Sequence, residues 1–457
     1  PGRPPGMTDP AGAAAPRRGD RHRRVLRLAG PIILANLSTP LLGAVDTAVM
    51  GHLPDAAFLG AVAVGSVIFS FLYWGFGFLR MGTTGFTAQA FGAGDRDELR
   101  ATLGRPLVLG LGLGLILLAV QAPLGGLALH LVDAGAPVTE LARRYYDVRI
   151  WSAPFALINY AVLGWLLGTQ RTGQALLLQL WLNGLNIVLD LVFVLGLGWT
   201  VAGVAAASVL AEMAAAGLGL ILCGRLLRRL GGHWSAARLR DPERLLALLR
   251  VNGDIFLRTL SLIFALAYFT ATGARLGETT LAANAILMQL QNVLSFGLDG
   301  FAHAAEIRVG EAVGRRSRAA LREAVGVAAL WAVVVAAAFA GVLALGGPLI
   351  LAAFTSLAPV QAAALAYLPW MVASPFVSVG AYLLDGVFIG ATRTRVLRNA
   401  MLVSVAGYLA AVELLVPWAG NHGLWAALLL FLALRGLTLG TAYPALLRAV
   451  GGDRSGE

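Results

Sequence analysis

Long apolar stretches separated by short polar or glycine- and proline-rich segments run through most of the chain. A helix that crosses a bilayer needs about 20 predominantly apolar residues. Prolines within such a stretch predict kinks, and Pro31 and Pro40 fall in the first one. Twelve predicted spans cover 26–53, 57–90, 104–130, 138–168, 173–198, 200–223, 252–275, 280–312, 321–346, 359–392, 396–417 and 422–447.

Composition supports the same interpretation. The 457 residues are 58% hydrophobic and only 13% charged, with a mean hydropathy of +0.76. Soluble domains are about a quarter charged, and disordered chains are poor in hydrophobic residues. We therefore predict an all-α polytopic membrane protein with twelve transmembrane helices. The lone cysteine, Cys223, excludes an internal disulfide and a cysteine-rich metal site, and no cofactor is expected.

The charged residues predict the orientation in the membrane. All 35 basic residues are arginines, and the net charge is +11. Most arginines lie in the N-terminal tail and in the loops after even-numbered spans, whereas the loops after spans 1, 5, 9 and 11 carry none. The positive-inside rule then places both termini in the cytoplasm, with a multi-pass chain in the plasma membrane, for a bacterium the inner membrane. This basic charge suits anionic lipid headgroups rather than nucleic acid.

The two halves of the chain resemble each other at an offset near 222 residues. A parallel repeat of six spans predicts two pseudo-symmetric six-helix lobes around a central cleft, as in some secondary transporters. The matched segments are QAFGAGDRDELR (89–100) with EAVGRRSRAALR (311–322), and APFALINYAVLGWLLGTQRT (153–172) with SPFVSVGAYLLDGVFIGATRT (374–394). The predicted units are a disordered basic tail (1–24), an N-terminal lobe (25–223), a basic cytoplasmic linker (224–251), a C-terminal lobe (252–447) and a C-terminal tail (448–457).

Polar side chains in the N-terminal lobe are predicted to lie at one depth. Counting from the span ends places four of them about 11–12 Å below the outer surface. Span 5 also carries a polar stripe on one helix face, which includes Asn183. These residues suggest a site for a cation or a proton, although a structural hydrogen-bond network would need the same groups. The four residues are Asp46, Tyr145, Asp190 and Ser208, and the stripe consists of Gln179, Asn183, Asn186 and Asp190.

The C-terminal lobe carries a different set of charges. Arg258, Glu306 and Asp385 each lie six or seven residues from a predicted cytoplasmic helix end, and Asp299 lies deeper. We expect Arg258 to pair with Glu306, Asp385 or both, closing the cytoplasmic side as a structural network. The alternative is a second proton relay or gate, for which Asp299 is the best candidate.

Several stretches together resemble the multidrug and toxic compound extrusion (MATE) family, and within it the branch called DinF. The resemblance extends from about residue 25 to residue 447. The stretches are DTAVMGHL (46–53), FLRMGTTGFTAQAFG (78–92), NIVLDLVFVLGLGW (186–199), GLDGFAHAAEIRVG (297–310) and LDGVFIGATRTRVLRNAM (384–401).

The resemblance implies cation-coupled export of amphipathic, often cationic organic compounds by two lobes that alternate between outward and inward openings. The family's N-lobe site matches Asp46, Tyr145, Asn186 and Asp190 by residue type, and Ser208 stands where some members have threonine. The branch implies H⁺ as the coupling ion, and the same oxygen atoms would also suit Na⁺. We expect a monomer whose partners are small molecules and the lipid bilayer.

Two other functions compete with export. A flippase for a lipid-linked sugar would share the fold, but it favours an arginine-rich cleft for a pyrophosphate headgroup, whereas the predicted outer cleft is acidic. An intramembrane enzyme would need a catalytic motif, and the chain has no HExxH motif and no lysine for a Walker motif.

The predicted topology can be tested with fusions to alkaline phosphatase, which is active only outside the cytoplasm. We expect low phosphatase activity for a fusion after Glu457 and high activity for a fusion after Gly198, in the loop that follows span 5. High activity at the C-terminal fusion would contradict the predicted orientation.

Overall fold

The computed structural model describes residues 18–51, 55–132 and 135–450, and within these ranges the chain is almost entirely helical, with no β-strand. The N-terminal half contains α1 (Arg18–Gly51), α2 (Ala56–Gly75), α3 (Phe78–Ala93), α4 (Arg96–Ala119), α5 (Gln121–Val132), α6 (Ala136–Arg149), α7 (Ala153–Gly168), α8 (Thr172–Asp190) and α9 (Val201–Leu230). After the short helix α10 (Ala236–Leu239), the C-terminal half contains α11 (Pro242–Arg275), α12 (Glu278–Gly314), α13 (Arg318–Phe354), α14 (Ala358–Gly390), α15 (Thr394–Ala419) and α16 (Asn421–Ala449).

Eleven helical stretches among the described residues are long and apolar enough to cross a membrane. Helix α1, with 34 residues, is also long enough for a span. Many large apolar side chains point away from the protein interior, and Leu345 and Trp418 are each 90% exposed. Such an apolar exterior is stable when it faces lipid tails rather than water.

Four predicted spans of the N-terminal half are interrupted rather than continuous, one of them at Val120, between α4 and α5. A turn at Phe76–Gly77 separates α2 from α3. A 3₁₀ turn over Ile150–Ser152 separates α6 from α7, directly before Pro154, which has no N–H to donate to a preceding turn. A π-helical turn over Leu191–Gly196 follows α8, and such turns often occur at functional sites.

The internal repeat is visible in the backbone. Gln170 and Thr392, which are 222 residues apart, both have positive φ angles, of 62° and 53°, at matching helix ends. Gly94 and Arg316 form a second such pair, with φ angles of 71° and 52°. Left-handed residues are uncommon outside glycine, so two matched pairs at one offset indicate two copies of the same chain path. The six-span repeat thus folds into two related bundles.

The two halves pack together mainly through α1 and α3 of the first and α12 of the second. Their contact continues to one end of the bundle, which we call the basic end; it comprises the turns at 94–95, 170–171, 231–241, 315–317 and 391–393. There, Gln89 Nε2 donates to the Gly390 carbonyl at 2.9 Å, and Gln170 Nε2 donates to Glu311 Oε2 at 2.8 Å. The halves are therefore closed against each other at the basic end.

The predicted linker and part of the predicted tail are helical in the structure. Helix α1 begins at Arg18, so residues 18–24 are not disordered, and most of 224–251 belongs to α9, α10 and α11. Arg238 of α10 donates to Asp95 Oδ2 at 2.7 Å and so attaches this segment to the start of α4. Burial raises the pKa of Asp95, but the hydrogen bond and charge of Arg238, together with the backbone N–H groups of Glu98 and Asp97, hold that pKa below its ordinary value.

Two sets of predicted features lie partly or wholly outside the described residues. Residues 1–17 and 451–457, from the expected tails, fall outside them, as does the side chain of Pro40. The backbone of α1 is helical without a break through both Pro31 and position 40. The kinks at these prolines stay predictions.

Close packing of α12 against α14 depends on glycine at position 386. A Cβ atom at Gly386 would collide with the backbone carbonyl of Ala302. Because backbone atoms cannot move aside cheaply, we expect Gly386→Ala to lower the free energy of unfolding by about 1–3 kcal/mol. Thermal unfolding of the purified protein in detergent measures this loss.

Gly380→Ala is the matched control, because the added Cβ on the same helix meets nothing within 4 Å. It should unfold at or above the wild-type temperature. Equal unfolding temperatures for the two variants would contradict the close contact.

Candidate functional site

Two carboxyl groups meet inside the N-terminal half. Asp46 lies near the end of α1, and Asp190 is the last residue of α8 and fully buried. Their side chains lie close enough to interact electrostatically. Two carboxylates this close repel each other when both are ionised. A proton or a cation between them removes that repulsion.

Asn186 and Ser208 extend this pair into a network. In the amide orientation that satisfies both neighbours, the Asn186 nitrogen donates to Asp190 Oδ2 at 2.7 Å and its oxygen accepts from Ser208 Oγ at 2.9 Å. All three residues are buried. The network joins α8 to α9 and fixes one oxygen of the Asp190 carboxyl.

Tyr145 completes the wall of the site. Its side chain is buried, lies near Ser66 of α2 and is close enough to both carboxyls to interact with them electrostatically. Its ring packs directly over Gly65, where a Cβ would overlap it. The small residue at 65 thus lets α6 approach α2 and brings the phenol to the carboxyl level.

Asn183 occupies a different place from the other members of the polar stripe. Its Nδ2 donates to Ser38 Oγ of α1 at 2.9 Å, and its Oδ1 accepts from Gln179 at 3.2 Å. The bond to Ser38 ties α8 to α1 two turns before Asp190, and the bond from Gln179 lies within α8. Asn183 therefore supports the site through helix packing.

Arg149, the last residue of α6, also belongs to the site and was not predicted from the sequence. Its guanidinium lies 5.7 Å from the ring centre of Tyr145 and interacts electrostatically with Asp46 and Asp190. Arg149 follows Tyr145 by four residues, so both side chains share one helix face. That spacing, together with the rarity of arginine within an apolar span, could have identified it.

Glu212 is a further charged residue of the N-terminal half and lies one helical turn after Ser208 on α9. Its Oε2 accepts from Asn159 Nδ2 at 2.6 Å, and Arg149 lies within electrostatic range. A pairing of Glu212 with Arg435 across the lobes, which their similar depth would allow, does not occur. Arg435 instead pairs within its own half.

The C-terminal half places Asp385 between two arginines. Asp385 Oδ2 accepts from Arg258 and, at 2.5 Å, from Arg435 Nη2. The second expected partner of Arg258, Glu306, is hydrogen-bonded instead to His303 Nδ1 at 3.0 Å on its own helix. The predicted residues thus form two small clusters on neighbouring helices rather than one network around Arg258.

Asp299 faces a cavity of about 330 Å³ between the two halves. Arg80 of α3 lines the same cavity. Arg258, Asp385 and Arg435 also contribute to the wall. The cavity is therefore bordered by both halves and carries charges of both signs.

Among the described residues, no group of three or more histidine, cysteine, aspartate or glutamate side chains could hold a metal ion. The carboxyl, amide and hydroxyl oxygens around Asp46 and Asp190 are of the type that a proton or a hard monovalent cation prefers.

Sequence comparisons agree with this architecture. The MatE family model matches residues 31–192 and 255–413, which together make up most of the chain. The chain is 45% identical over 412 residues to DNA damage-inducible protein F of Escherichia coli strain K12, covering 90% of each protein. It is 28% identical over 343 residues to a probable multidrug resistance protein NorM of Bradyrhizobium diazoefficiens, covering 72% of this chain and 71% of the relative.

Solved structures share the fold. A MATE crystal structure in the straight conformation matches with a TM-score of 0.82 at 21% identity, over 95% of this chain and 97% of that one. A MATE transporter in an outward-facing conformation matches with a TM-score of 0.79 at 22% identity, over the same shares. The family model matches both halves, and a relative at 45% identity matches nearly the whole length. The chain therefore belongs to the MATE family of multidrug efflux proteins, which are transporters and not enzymes.

Proposed function

We propose that this protein exports amphipathic, cationic organic compounds across the plasma membrane in exchange for protons. Family membership supports the transport, and the carboxyl pair of Asp46 and Asp190 is the observation that supports the coupling. The proposed orientation places the basic end and both termini in the cytoplasm, as the arginine distribution indicates.

The carboxyl pair can link proton movement to charge in the cleft. With one shared proton the pair carries a single negative charge, and a second proton neutralises it. When both protons leave, two adjacent carboxylates repel each other unless a cation is present. The nearby Arg149 offsets part of this charge through its electrostatic interaction with both aspartates. Loss of protons therefore favours the binding of a cation, and protonation favours its release.

Helix α1 can carry this change to the interface between the halves. Asp46 lies near one end of α1, and Ala29 near the other end is buried in the same apolar cluster as Leu298 and Phe301 of α12. A proton shifts a conformational equilibrium only if it binds the two states with different affinities. A site whose two carboxyls sit on separate helices, α1 and α8, meets that condition because their separation changes the affinity for the shared proton.

Sodium remains the alternative coupling ion. Asn186 and Ser208 supply neutral oxygen atoms beside the carboxyls, which a Na⁺ ion could use as ligands. The proposal of H⁺ rests on the close approach of the two carboxyls, which would separate around a bound metal ion.

We expect Asp46→Asn to abolish coupled export while preserving the fold, because asparagine imitates the protonated carboxyl and cannot release the proton. Asp190→Asn should do the same or shift the pH optimum. The measurement is transport of a fluorescent cation, ethidium, by purified protein in liposomes under an imposed pH gradient and, separately, a sodium gradient. We expect both variants to fall to the rate of protein-free liposomes.

The control is Glu140→Gln, which alters an exposed carboxylate on α6 that pairs with Arg144. It should transport at the wild-type rate. Wild-type rates in both aspartate variants would refute the coupling role, and wild-type export driven by sodium but not by protons would replace H⁺ with Na⁺.

The cluster of Asp385, Arg258 and Arg435 is proposed to be structural. Asp385→Ala would leave two buried guanidinium groups without their shared acceptor, which should cost about 3–5 kcal/mol of stability. Arg258→Ala should cost less, because Arg435 still pairs with Asp385. Thermal unfolding in detergent shows which of the two variants loses more stability. Arg144→Ala, which breaks an exposed ion pair with Glu140, is the control and should unfold at the wild-type temperature. An unchanged unfolding temperature for Asp385→Ala would exclude the structural role.

A further inference from the structure

A single histidine lies where two cavities of the protein meet. His303 of α12 borders the cavity of about 330 Å³ between the halves, which we call the central cavity. It also borders a second cavity of about 100 Å³, formed mainly by the N-terminal half, which we call the small cavity. We propose that His303 is a proton-relay residue, which accepts the proton released by Asp46 and Asp190 and passes it to the cytoplasmic side. This inference rests on the proposed proton-coupled export and names a further residue of that reaction.

The small cavity is polar enough to hold water. Its polar side chains come from five helices and are Asn36, Arg80, Thr172, Gln179 and His303. A buried water needs about 10–15 Å³ of free volume and two to four polar partners, so several waters fit this space. Chains of water carry protons between titratable groups. Among the described residues of this wall, His303 alone exchanges a proton near neutral pH.

The polar stripe of α8 runs from the small cavity to the carboxyl pair. Gln179 lines the cavity and donates to Asn183 Oδ1 at 3.2 Å. Asn186 and Asp190 follow on the same helix face. At about 1.5 Å per residue, Gln179 lies about 10 Å and Asp190 about 27 Å from the start of α8 at the basic end. The small cavity therefore lies between the carboxyl pair and the end that the proposed orientation places in the cytoplasm.

One hydrogen bond between α1 and α8 crosses this path. Asn183 Nδ2 donates to Ser38 Oγ at 2.9 Å, at a level between Gln179 and Asp190. Asn36, also on α1, lines the small cavity on the near side of this bond. Movement of α1 away from α8 breaks the bond and extends the cavity toward the carboxyls, so the same helix that carries Asp46 controls access to the relay.

The contacts of His303 leave one ring nitrogen free for proton exchange. Nδ1 lies 3.0 Å from Oε2 of Glu306, a carboxyl that is fully buried. An ionised carboxylate only accepts hydrogen bonds, so Nδ1 then carries the hydrogen and Nε2 of the neutral ring accepts a proton. Among the described residues, Nε2 has no hydrogen-bond partner, and it is not one of the buried atoms that lack one. With the side chain 17% exposed, Nε2 is open to water in the cavities.

Charges of both signs face His303. Its own helix contributes Asp299, one turn earlier, and Glu306. The charged and titratable groups that other helices bring to the two cavity walls are Arg80 of α3, Arg258 of α11, Tyr382 and Asp385 of α14, and Arg435 of α16. The charged residues of α13 all lie in its first two turns, at the basic end. A proton on His303 therefore meets attraction from carboxyls and repulsion from Arg80, and a relay needs both because it takes up and releases its proton.

The proposed step moves a proton and changes no other bond. A carboxyl of the pair gives its proton to water in the small cavity, and Nε2 of His303 takes a proton from that water. The ring becomes an imidazolium whose Nδ1–H still faces Glu306. When the basic end opens, Nε2 returns the proton to water that is continuous with the cytoplasm. The two carboxylates left behind are then ready for a cation.

The test compares two activities of the purified protein in liposomes. Net export of ethidium under an imposed pH gradient requires proton release on the cytoplasmic side. Exchange of labelled for unlabelled ethidium, at one alkaline pH on both sides, requires no net proton movement. We expect His303→Gln to lower net export about tenfold or more and to leave exchange within about twofold of wild type. A merely structural role would lower both activities together.

Glu306→Gln is the second variant, and it decides the question if His303→Gln does not fold. An amide both donates and accepts, so it does not fix which ring nitrogen of His303 carries the hydrogen. Net export should fall, by less than in His303→Gln, while exchange stays near the wild-type rate. His130→Gln, at an exposed histidine of α5, is the matched control and should keep both wild-type rates.

Wild-type net export in His303→Gln or in Glu306→Gln would overturn the relay. Equal losses of export and exchange would assign these residues a structural role and would also overturn it. Failure of the proposed coupling looks different, because wild-type protein would then not respond to a pH gradient, and this inference would fall with it. Proton-driven export that both variants retain would overturn this inference alone.

Discussion

A charge inside the helical bundle must be balanced by an opposite charge, by hydrogen bonds or by a proton, because hydrocarbon cannot solvate it. The two halves of this protein meet that constraint differently. In the N-terminal half, Asp46 and Asp190 lie close to each other, and in the proposed mechanism a proton balances them. In the C-terminal half, two fixed guanidinium groups balance Asp385. Protons exchange and guanidinium groups do not, so under that proposal the first arrangement changes its charge during transport and the second keeps its charge throughout.

The fold was largely predictable from the sequence, because a bilayer-spanning helix needs a long apolar run that is visible without a structure. The predicted span 280–312 and helix α12 at Glu278–Gly314 differ by two residues at each end. The helices within the expected linker were not predicted, because they are polar and give no such apolar signal, although Asp241 followed by Pro242 is a typical helix start. Depth along a helix predicted that Asp46, Tyr145, Asp190 and Ser208 share a level. Arg149 and the Asp385–Arg435 pair escaped prediction because their partners depend on helix rotation and packing.

The repeat preserves chain geometry but not chemistry. Left-handed residues recur at 94 and 316 and at 170 and 392, so the helix ends are built alike in both halves. The aspartates do not recur: the offset places Phe269 opposite Asp46 and a position near Val412 opposite Asp190, and both of these are buried apolar residues. Symmetric backbones allow the halves to rock against each other, while unlike side chains allow each half a separate task. The carboxyl pair belongs to one half, and the arginine-rich cavity wall belongs mainly to the other.

Closure at the basic end has to be reversible if the halves are to alternate. Opening affects Glu311, because its carboxylate accepts a hydrogen bond from Gln170 across the interface. It also pairs with Arg308 and, at 2.5 Å, with Arg315, both from its own half. Separation therefore removes one amide hydrogen bond and leaves the carboxylate balanced. Arg21 and Glu323 pair across the halves at 3.5 Å, but both are partly exposed and would be hydrated after separation. Because the charges at this interface keep partners or water in both states, opening leaves no charge unbalanced, which lowers the free energy that the proposed proton binding at Asp46 and Asp190 has to supply.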